Sequence, residues 1–259
     1  MYNLQEIDIL IIVTTSVLLI LSFTVVIFFL YFQKKKIAFI LNERETQLRF
    51  EEEITKSKME IQEQALQNIS WEIHDNVGQL LSVAKMQLNI LQIGLPENQQ
   101  EKLAETSEII GKSLQELRGL AKSLNPETIK NNGLVDSLTL EIERFNRLKV
   151  IDASLNIINE PFNLSNEKEI ILFRILQEFC NNSLKYSKAK NLDISLNFNS
   201  NSLEIAAKDN GVGFNVNATE NHTGIGLLNM KSRGKLIGAD IHLESSANKG
   251  TKLYISCLK

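Results

Sequence analysis

The sequence predicts a membrane-anchored multidomain chain: one transmembrane helix, then an all-α helical hairpin, then an α/β two-layer sandwich. Three observations carry that reading. Residues 9–32 contain no charged side chain, residues 66–124 repeat apolar positions at spacings of three and four, and from residue 135 alternating runs interleave with helical ones. The length of 259 residues suits two or three structural units. Twenty-eight Lys and Arg against thirty-one Asp and Glu leave a formal charge of −3. That balance argues against a nucleic-acid binder, which would need a basic face to neutralise phosphates. Cys180 and Cys257 are the only cysteines. A disulfide framework and a Cys-rich zinc module are thereby excluded, and a reducing compartment is suggested.

The apolar run 9–32, as a helix rising ~1.5 Å per residue, crosses a hydrocarbon core of ~30 Å with a little length to spare. A cleaved signal peptide fits less well, because the run is too long, no positive charge precedes it and no small-x-small site follows. Lys34, Lys35 and Lys36 follow the run, whereas residues 1–8 carry only Glu6 and Asp8. The positive-inside bias therefore places the short N-terminal segment 1–8 outside and everything after residue 33 in the cytoplasm. So short an external segment is not expected to hold a sensor domain.

Residues 33–65 are charged, free of Pro and Gly, and rich in helix formers. They predict a helical or coiled-coil connector, although Gln47 interrupts the weak heptad of Ile40, Ile54 and Ile61. A solvated spacer without a signalling role is the alternative. From Leu66 the pattern sharpens. Leu66, Ile69, Ile73, Val77, Leu80, Ala84, Leu88 and Leu91 form one helical stripe. After Gly94-Leu95-Pro96, a second stripe runs through Leu103, Ser107, Ile110, Leu114, Leu117, Ala121 and Leu124. Two such helices form an antiparallel hairpin, which buries too little apolar surface by itself. A second copy would complete a four-helix bundle, so a homodimer is expected, with 66–124 as the dimerisation unit.

Asn125-Pro126 ends the second helix and Asn131-Asn132-Gly133 marks a loop, giving a linker over 125–134. The sandwich then occupies 135–259. Residues 134–148 predict a helix and 149–158 a strand. Asn166, with Glu169 three residues on, predicts a capped helix to about Tyr186. Residues 192–198 and 203–208 alternate as strands, and 227–236 predicts a helix closed near Gly238. Residues 239–244 and 251–258 predict a hairpin through Asn248-Lys249-Gly250.

The chemistry-bearing residues lie on this scaffold. Ile171, Ile175, Glu178, Asn182 and Lys185 share one stripe of the capped helix. A carboxylate, an amide and an ammonium thus continue an inward-facing apolar row. Burying them unpartnered costs several kcal/mol, so a polar partner is expected; an exposed i, i+4 network is the alternative. Asp209-Asn210-Gly211-Val212-Gly213-Phe214 follows a strand. Asp209 can accept a hydrogen bond, and backbone without Cβ at Gly211 and Gly213 can lie close to a flat ring, though such a sequence also marks an ordinary turn. Gly224-Ile225-Gly226 opens a helix, where free N–H groups suit a phosphate. On the first hairpin, His74 sits one position past Ile73, hence on a reachable flank, and is followed by Asp75. The other two histidines, His222 and His242, read as part of a mobile segment and of an exposed strand.

The order Glu-x-x-x-Asn-x-x-Lys, strand-DxGxG, GxG before a helix, then Gly250-Thr251 resembles the GHKL ATP-binding fold. That fold is shared by histidine kinases, Hsp90, type II topoisomerases and mismatch-repair ATPases. With His74-Asp75-Asn76-Val77-Gly78-Gln79, Leu124-Asn125-Pro126 and Arg174-Ile175-Leu176-Gln177-Glu178, the chain resembles sensor histidine kinases with a HisKA_3-like hairpin and NarL/LuxR-type response regulators as partners. The resemblance covers roughly three quarters of the chain, from residue 66 onward.

It implies ATP and Mg²⁺ as cofactors, with Glu178 in the site and Asn182 supplying an oxygen to the metal. Asp209 would bind the adenine amino group, Gly211 and Gly213 would line the base, and Gly224 and Gly226 would lie against the phosphates. Lys185 would offset phosphate charge, Thr251 would contribute near the base, and residues 214–224 would form a lid. His74 would be the phosphoacceptor, Asp75 the general base, and Gln79 would position water for a phosphatase reaction on the regulator. It further implies a single-pass protein of the bacterial inner, cytoplasmic membrane whose stimulus arrives through the membrane helix, a partner or the connector. Trp71 stands where relatives commonly have Arg, and Tyr186 where they have His. A different GHKL ATPase or serine kinase, or a nucleotide-binding scaffold without kinase activity, are the competing readings.

Overall fold

The computed structural model describes residues 4–93, 95–215 and 225–259. Gly94 and residues 216–224, with most of the expected lid and with Gly224 and His222, lie outside the described residues. The chain divides into two compact units, Met1–Thr55 and Lys56–Lys259. The first is helical throughout its described length and belongs to α1 (Leu4–Glu72). It holds one stretch long and apolar enough to cross a membrane, none of it buried in the protein.

In the second unit the end of α1 passes through a π-helical turn, Ile73–Val77, into α2 (Gly78–Gln92). Then α3 (Glu97–Leu124) folds back antiparallel. Ser70 Oγ donates to Ala121 O at 2.8 Å, and Ser107 Oγ donates to Asn89 Oδ1 at 2.8 Å. The predicted first stripe divides. Leu66, Ile73, Ala84 and Leu88 are half-buried, while Ile69, Val77, Leu80 and Leu91 are exposed, Leu80 by 71%. One hairpin partner cannot cover a stripe that wide, so an apolar edge is left uncovered.

Next comes α4 (Pro126–Leu148). Asn125 accepts from Glu127 N at 3.0 Å, and Pro126 fills the first turn where no N–H is needed. The stretch read as a linker is therefore mostly helical, broken at Gly133 with φ 81° and ψ 174°. A five-stranded sheet follows, with β1 (Asp152–Ile158), β2 (Asn191–Phe198), β3 (Ser202–Asp209), β4 (Asp240–Ser245) and β5 (Thr251–Leu258). The strand order is β1-β2-β3-β5-β4, and β1-β2 is the parallel pair. The crossover between them is α5 (Asn166–Asn182), while α6 (Ile225–Leu236) lies between β3 and β4 in sequence.

Alternation explains the second layer. Leu192, Ile194, Leu196 and Phe198 of β2, Leu203, Ile205 and Ala207 of β3, and Leu253, Ile255 and Cys257 of β5 share one buried face. They pack with Ile142 and Phe145 of α4, Leu172, Ile175, Leu176 and Phe179 of α5, and Met230 of α6. Each such buried Leu, Ile or Phe contributes about 1.5–3 kcal/mol. Burial pushes the thiol of Cys180 well above the usual range.

Two local expectations need correction. The cap of α5 is Ser165, whose hydroxyl accepts from Lys168 N at 3.4 Å, and not Asn166. Glu169 instead accepts from Leu164 N at 3.3 Å, and burial raises its carboxyl pKa despite that N–H. The strand expected from residue 149 begins at Asp152, because Lys149 takes a left-handed conformation that closes α4.

Arg174 of α5 ties these layers to the hairpin. Its side chain is 2% exposed and meets both oxygens of Glu63 at 2.8–3.1 Å. It also donates to Ser123 O and Leu124 O, satisfying carbonyls that the end of α3 leaves unpaired. Arg233, whose pKa is lowered by burial, donates to Gln62 Oε1 at 2.9 Å. Arg174→Ala should therefore destabilise this unit by about 3–5 kcal/mol, since a partly buried carboxylate and two carbonyls lose their donor. A thermal melt of the chain in nanodiscs should show Tm falling by roughly 6 °C or more. An unchanged Tm would show the contact contributes nothing.

Candidate functional site

The register of the sheet creates the site. Asp209 has the same parity as Leu203, Ile205 and Ala207, so it ends the buried face with a carboxylate, 2% exposed. Its directly paired neighbour on β5 is Thr251, also buried. Asp209 Oδ2 accepts from Ser183 Oγ at 3.0 Å, and Oδ1 accepts from Gly211 N at 2.8 Å. An ionised carboxylate has about four acceptor positions, so capacity remains for a ligand donor.

Above it opens a cavity of about 590 Å³, within the usual ligand-pocket range of ~300–1,000 Å³. Glu178, Asn182, Asp209, Gly213, Gly226 and Thr251 line it, bringing together residues from two helices, two strands and the loop after β3. Lys185 is exposed and lies outside the lining. The predicted helix to Tyr186 ends as α-helix at Asn182 and continues as a π-helical turn, Ser183–Ser187, whose wider winding carries Lys185 off the stripe. Ser183, Tyr186, Met230 and Leu243 also line the cavity, beyond the site residues that the sequence predicts. Ser183 follows Asn182 directly, but only its hydrogen bond to Asp209 reveals its use.

The glycines divide by role. A Cβ on Gly211 would lie 2.3 Å from Ser187 O, and one on Gly213 (φ 58°) 2.2 Å from Ser246 O. Both permit close backbone packing at the rim. Gly226, in the first turn of α6, faces the site: a Cβ there would lie 2.2 Å from Glu178 Oε1 and 3.5 Å from Asn182 Nδ2. Gly226→Ala should displace the Glu178 carboxylate, which can swing away, so stability should change by less than about 0.5 kcal/mol. Affinity for a nucleotide analogue should fall by about tenfold or more. Calorimetric titration beside a thermal melt checks this, and unchanged affinity would remove Gly226 from the site.

Asn182 Nδ2 donates to Glu178 Oε1 at 3.2 Å. Among the described residues no group of three or more His, Cys, Asp or Glu is placed to cage a metal. A carboxylate and an amide oxygen beside a cavity nevertheless suit Mg²⁺, which binds few protein oxygens and completes its octahedron with phosphates and water.

On the hairpin, His74 and Asp75 lie in the π-helical turn, where Gly78 N donates to Ile73 O. Their side chains are 64% and 66% exposed, and His74 Nδ1 lies 2.8 Å from Asp75 Oδ1. That contact holds one ring nitrogen and leaves Nε2 open. Gln79 is exposed on the next turn, and Gly78 is buried against Leu114. Such π turns are frequent at functional sites because they re-aim side chains.

Comparison with known proteins now bears on both sites. A family model described as histidine kinase matches residues 66–129, and one described as histidine kinase-, DNA gyrase B-, and HSP90-like ATPase matches residues 167–259. The chain carries the paired modules of a histidine kinase. The histidine kinase module contains His74, Asp75 and Gln79, and the ATPase module contains the cavity. The oxygen sensor histidine kinase NreB of Staphylococcus carnosus is 26% identical over 228 residues, covering 85% of this chain. The chain spans 65% of that relative's length. Among solved structures, the histidine kinase domain from the Erythrobacter litoralis EL346 blue-light activated histidine kinase has a TM-score of 0.44 at 14% identity, covering 68% of this chain and 95% of that one. The Acinetobacter baumannii histidine kinase AdeS has a TM-score of 0.41 at 17% identity, covering 73% and 97%.

Proposed function

We propose that this protein is a two-component sensor histidine kinase that phosphorylates itself on His74 from ATP and passes the phosphoryl group to an aspartate of a response regulator. The observation that carries the reading is an exposed imidazole held by a carboxylate, in one chain with a cavity floored by a buried Asp209. Asp209 receives the adenine amino group, with Thr251 beside it. Gly211 and Gly213 keep the rim close to the base, and Gly224, Gly226 and the start of α6 meet the phosphates. Lys185 offsets their charge. Glu178 and Asn182 hold Mg²⁺, which when bound neutralises charge on the phosphates.

Asp75 fixes Nδ1–H and directs the lone pair of Nε2 outward, the arrangement a nucleophile with an adjacent base requires. Nε2 bonds to the γ-phosphorus as the bond to the bridging oxygen breaks and ADP leaves, while Asp75 takes the proton from Nδ1. The regulator's carboxylate then displaces the imidazole. Gln79 positions water for loss of phosphate from the regulator.

The assignment extends to the whole chain. Residues 1–8 lie outside, 9–32 span the bacterial inner membrane once, and 33–65 connect to a cytoplasmic dimerisation and phosphotransfer hairpin over 66–124. The linker 125–134 then leads to the catalytic domain, 135–259. Exposed Ile69, Val77, Leu80 and Leu91 support homodimerisation, and the histidine kinase module supports a NarL/LuxR-type regulator as partner.

Incubating the chain in nanodiscs with γ-labelled ATP should give protein-bound phosphate that is labile in acid and stable in alkali, as a phosphoramidate is. Acid-stable label would overturn the proposal. Gln79→Ala should autophosphorylate normally yet slow loss of phosphate from the regulator by about tenfold or more, because the water loses its orienting contact. An unchanged rate would show that Gln79 has no such part.

A further inference from the structure

Away from the nucleotide cavity, α2, α3 and α4, with Phe173 of α5, line a second one of about 420 Å³. Its charged lining consists of five cations and one carboxylate. The carboxylate, Glu141, gives both oxygens to Arg144 at 2.7 and 2.9 Å, and Arg147 lies 3.3 Å from Glu116. Lys85, Arg118 and Lys122 form no ion pair among the described residues. Cations gathered around one concavity repel one another, and such a field favours an anion.

A second, independent observation lies in the same wall. Ser137 is 5% exposed, and its Oγ has no hydrogen-bond partner. A helical serine ordinarily donates to the carbonyl four residues back. Here that residue is Gly133, whose backbone turns out of the helix, so the ordinary acceptor is misplaced. An orphaned buried hydroxyl needs an acceptor from elsewhere. Lys85, Arg118, Lys122 and this hydroxyl are thus all donors available to a ligand. Leu140 and Phe173 add apolar surface.

We propose that this cavity binds a small organic anion with two or more carboxylate or phosphate groups, held by Lys85, Arg118 and Lys122, with Ser137 donating to one of its oxygens. Its walls come from α2, α3, α4 and, through Phe173, α5, so an occupant clamps the hairpin against α4. The site is separate from the nucleotide cavity, and its occupation does not require kinase activity.

The test is calorimetric titration of the full chain in nanodiscs, with EDTA and without nucleotide, using citrate and fructose 1,6-bisphosphate as probes. At least one should saturate a single site with submillimolar affinity. Citrate alone would identify a polycarboxylate site, the bisphosphate alone a phosphate-ester site, and both a site for either. The double variant Arg118→Gln/Lys122→Gln should weaken binding at least tenfold, and Ser137→Ala severalfold. Lys112→Gln, on α3 but outside the lining and paired with Glu108, should bind as wild type. Should the double variant fail to fold, Lys85→Gln should still show the weakening. No saturation by either probe, or wild-type affinity in a folded Arg118, Lys122 or Lys85 variant, would overturn the proposal.

Discussion

His74→Gln is expected to abolish the acid-labile phosphate while leaving nucleotide affinity at its wild-type value. The imidazole is largely exposed, and among the described residues its one polar side-chain contact is with Asp75, so the substitution should change stability by less than about 0.5 kcal/mol. Glutamine keeps polarity and approximate reach but has no nucleophilic nitrogen lone pair. Without a nucleophile, binding and electrostatic stabilisation have no acceptor to act upon, and labelling should fall by at least about a thousandfold, to background. The measurement is phosphate incorporation from labelled ATP beside titration with a non-hydrolysable analogue. Label persisting in the variant would place the phosphoacceptor elsewhere and remove the central assignment.

Asp209→Ala is expected to fail at the other end of the reaction. A hydrogen bond to a charged acceptor contributes about 1.5–3 kcal/mol, so analogue affinity should drop between about tenfold and a hundredfold. The variant also leaves Ser183 Oγ and Gly211 N without their acceptor in a buried place, which costs about 1–3 kcal/mol of stability. Asp209→Asn separates the two effects. Its amide oxygen can still serve Gly211 N, restoring most of the stability, whereas the lost charge keeps nucleotide affinity low. Equal affinity in wild type and Asp209→Ala would show that the carboxylate does not meet the ligand.

Much of this was legible in the linear chain because it depends on near neighbours. The parity of β3 carries Leu203, Ile205 and Ala207 to Asp209, so a carboxylate at the end of an apolar face is visible without any fold. Spacing puts Glu178 and Asn182 one helical turn apart, and their hydrogen bond follows from that. His74 is beside Asp75 in sequence, so the pairing of an imidazole with a carboxylate is visible there, although the contact itself forms inside a π-helical turn. The cap of α5 lies one residue before the expected Asn166 because Ser165 and Asn166 both carry suitable side chains, and backbone geometry alone chooses between them.

Other features had no local signature. Two π-helical turns, at Ile73–Val77 and Ser183–Ser187, change which side chains share a face, and the second sets Lys185 apart from Asn182. Arg174 could be noticed as a residue, but its partners Glu63, Ser123 and Leu124 come from sequence-distant helices. The orphaned hydroxyl of Ser137 exists only because Gly133 leaves the helix four residues earlier.

The order of residues by itself determined the apolar span, the helical stripes, the alternating strands and the identity of the chemical groups, since periodicity and propensity act over a few residues. Tertiary structure alone decided that β3 lies beside β5, so that Asp209 faces Thr251, and that α5 and α6 close over them. Strand order is settled by burying a whole sheet face beneath helices, a free energy that no short segment of the chain contains.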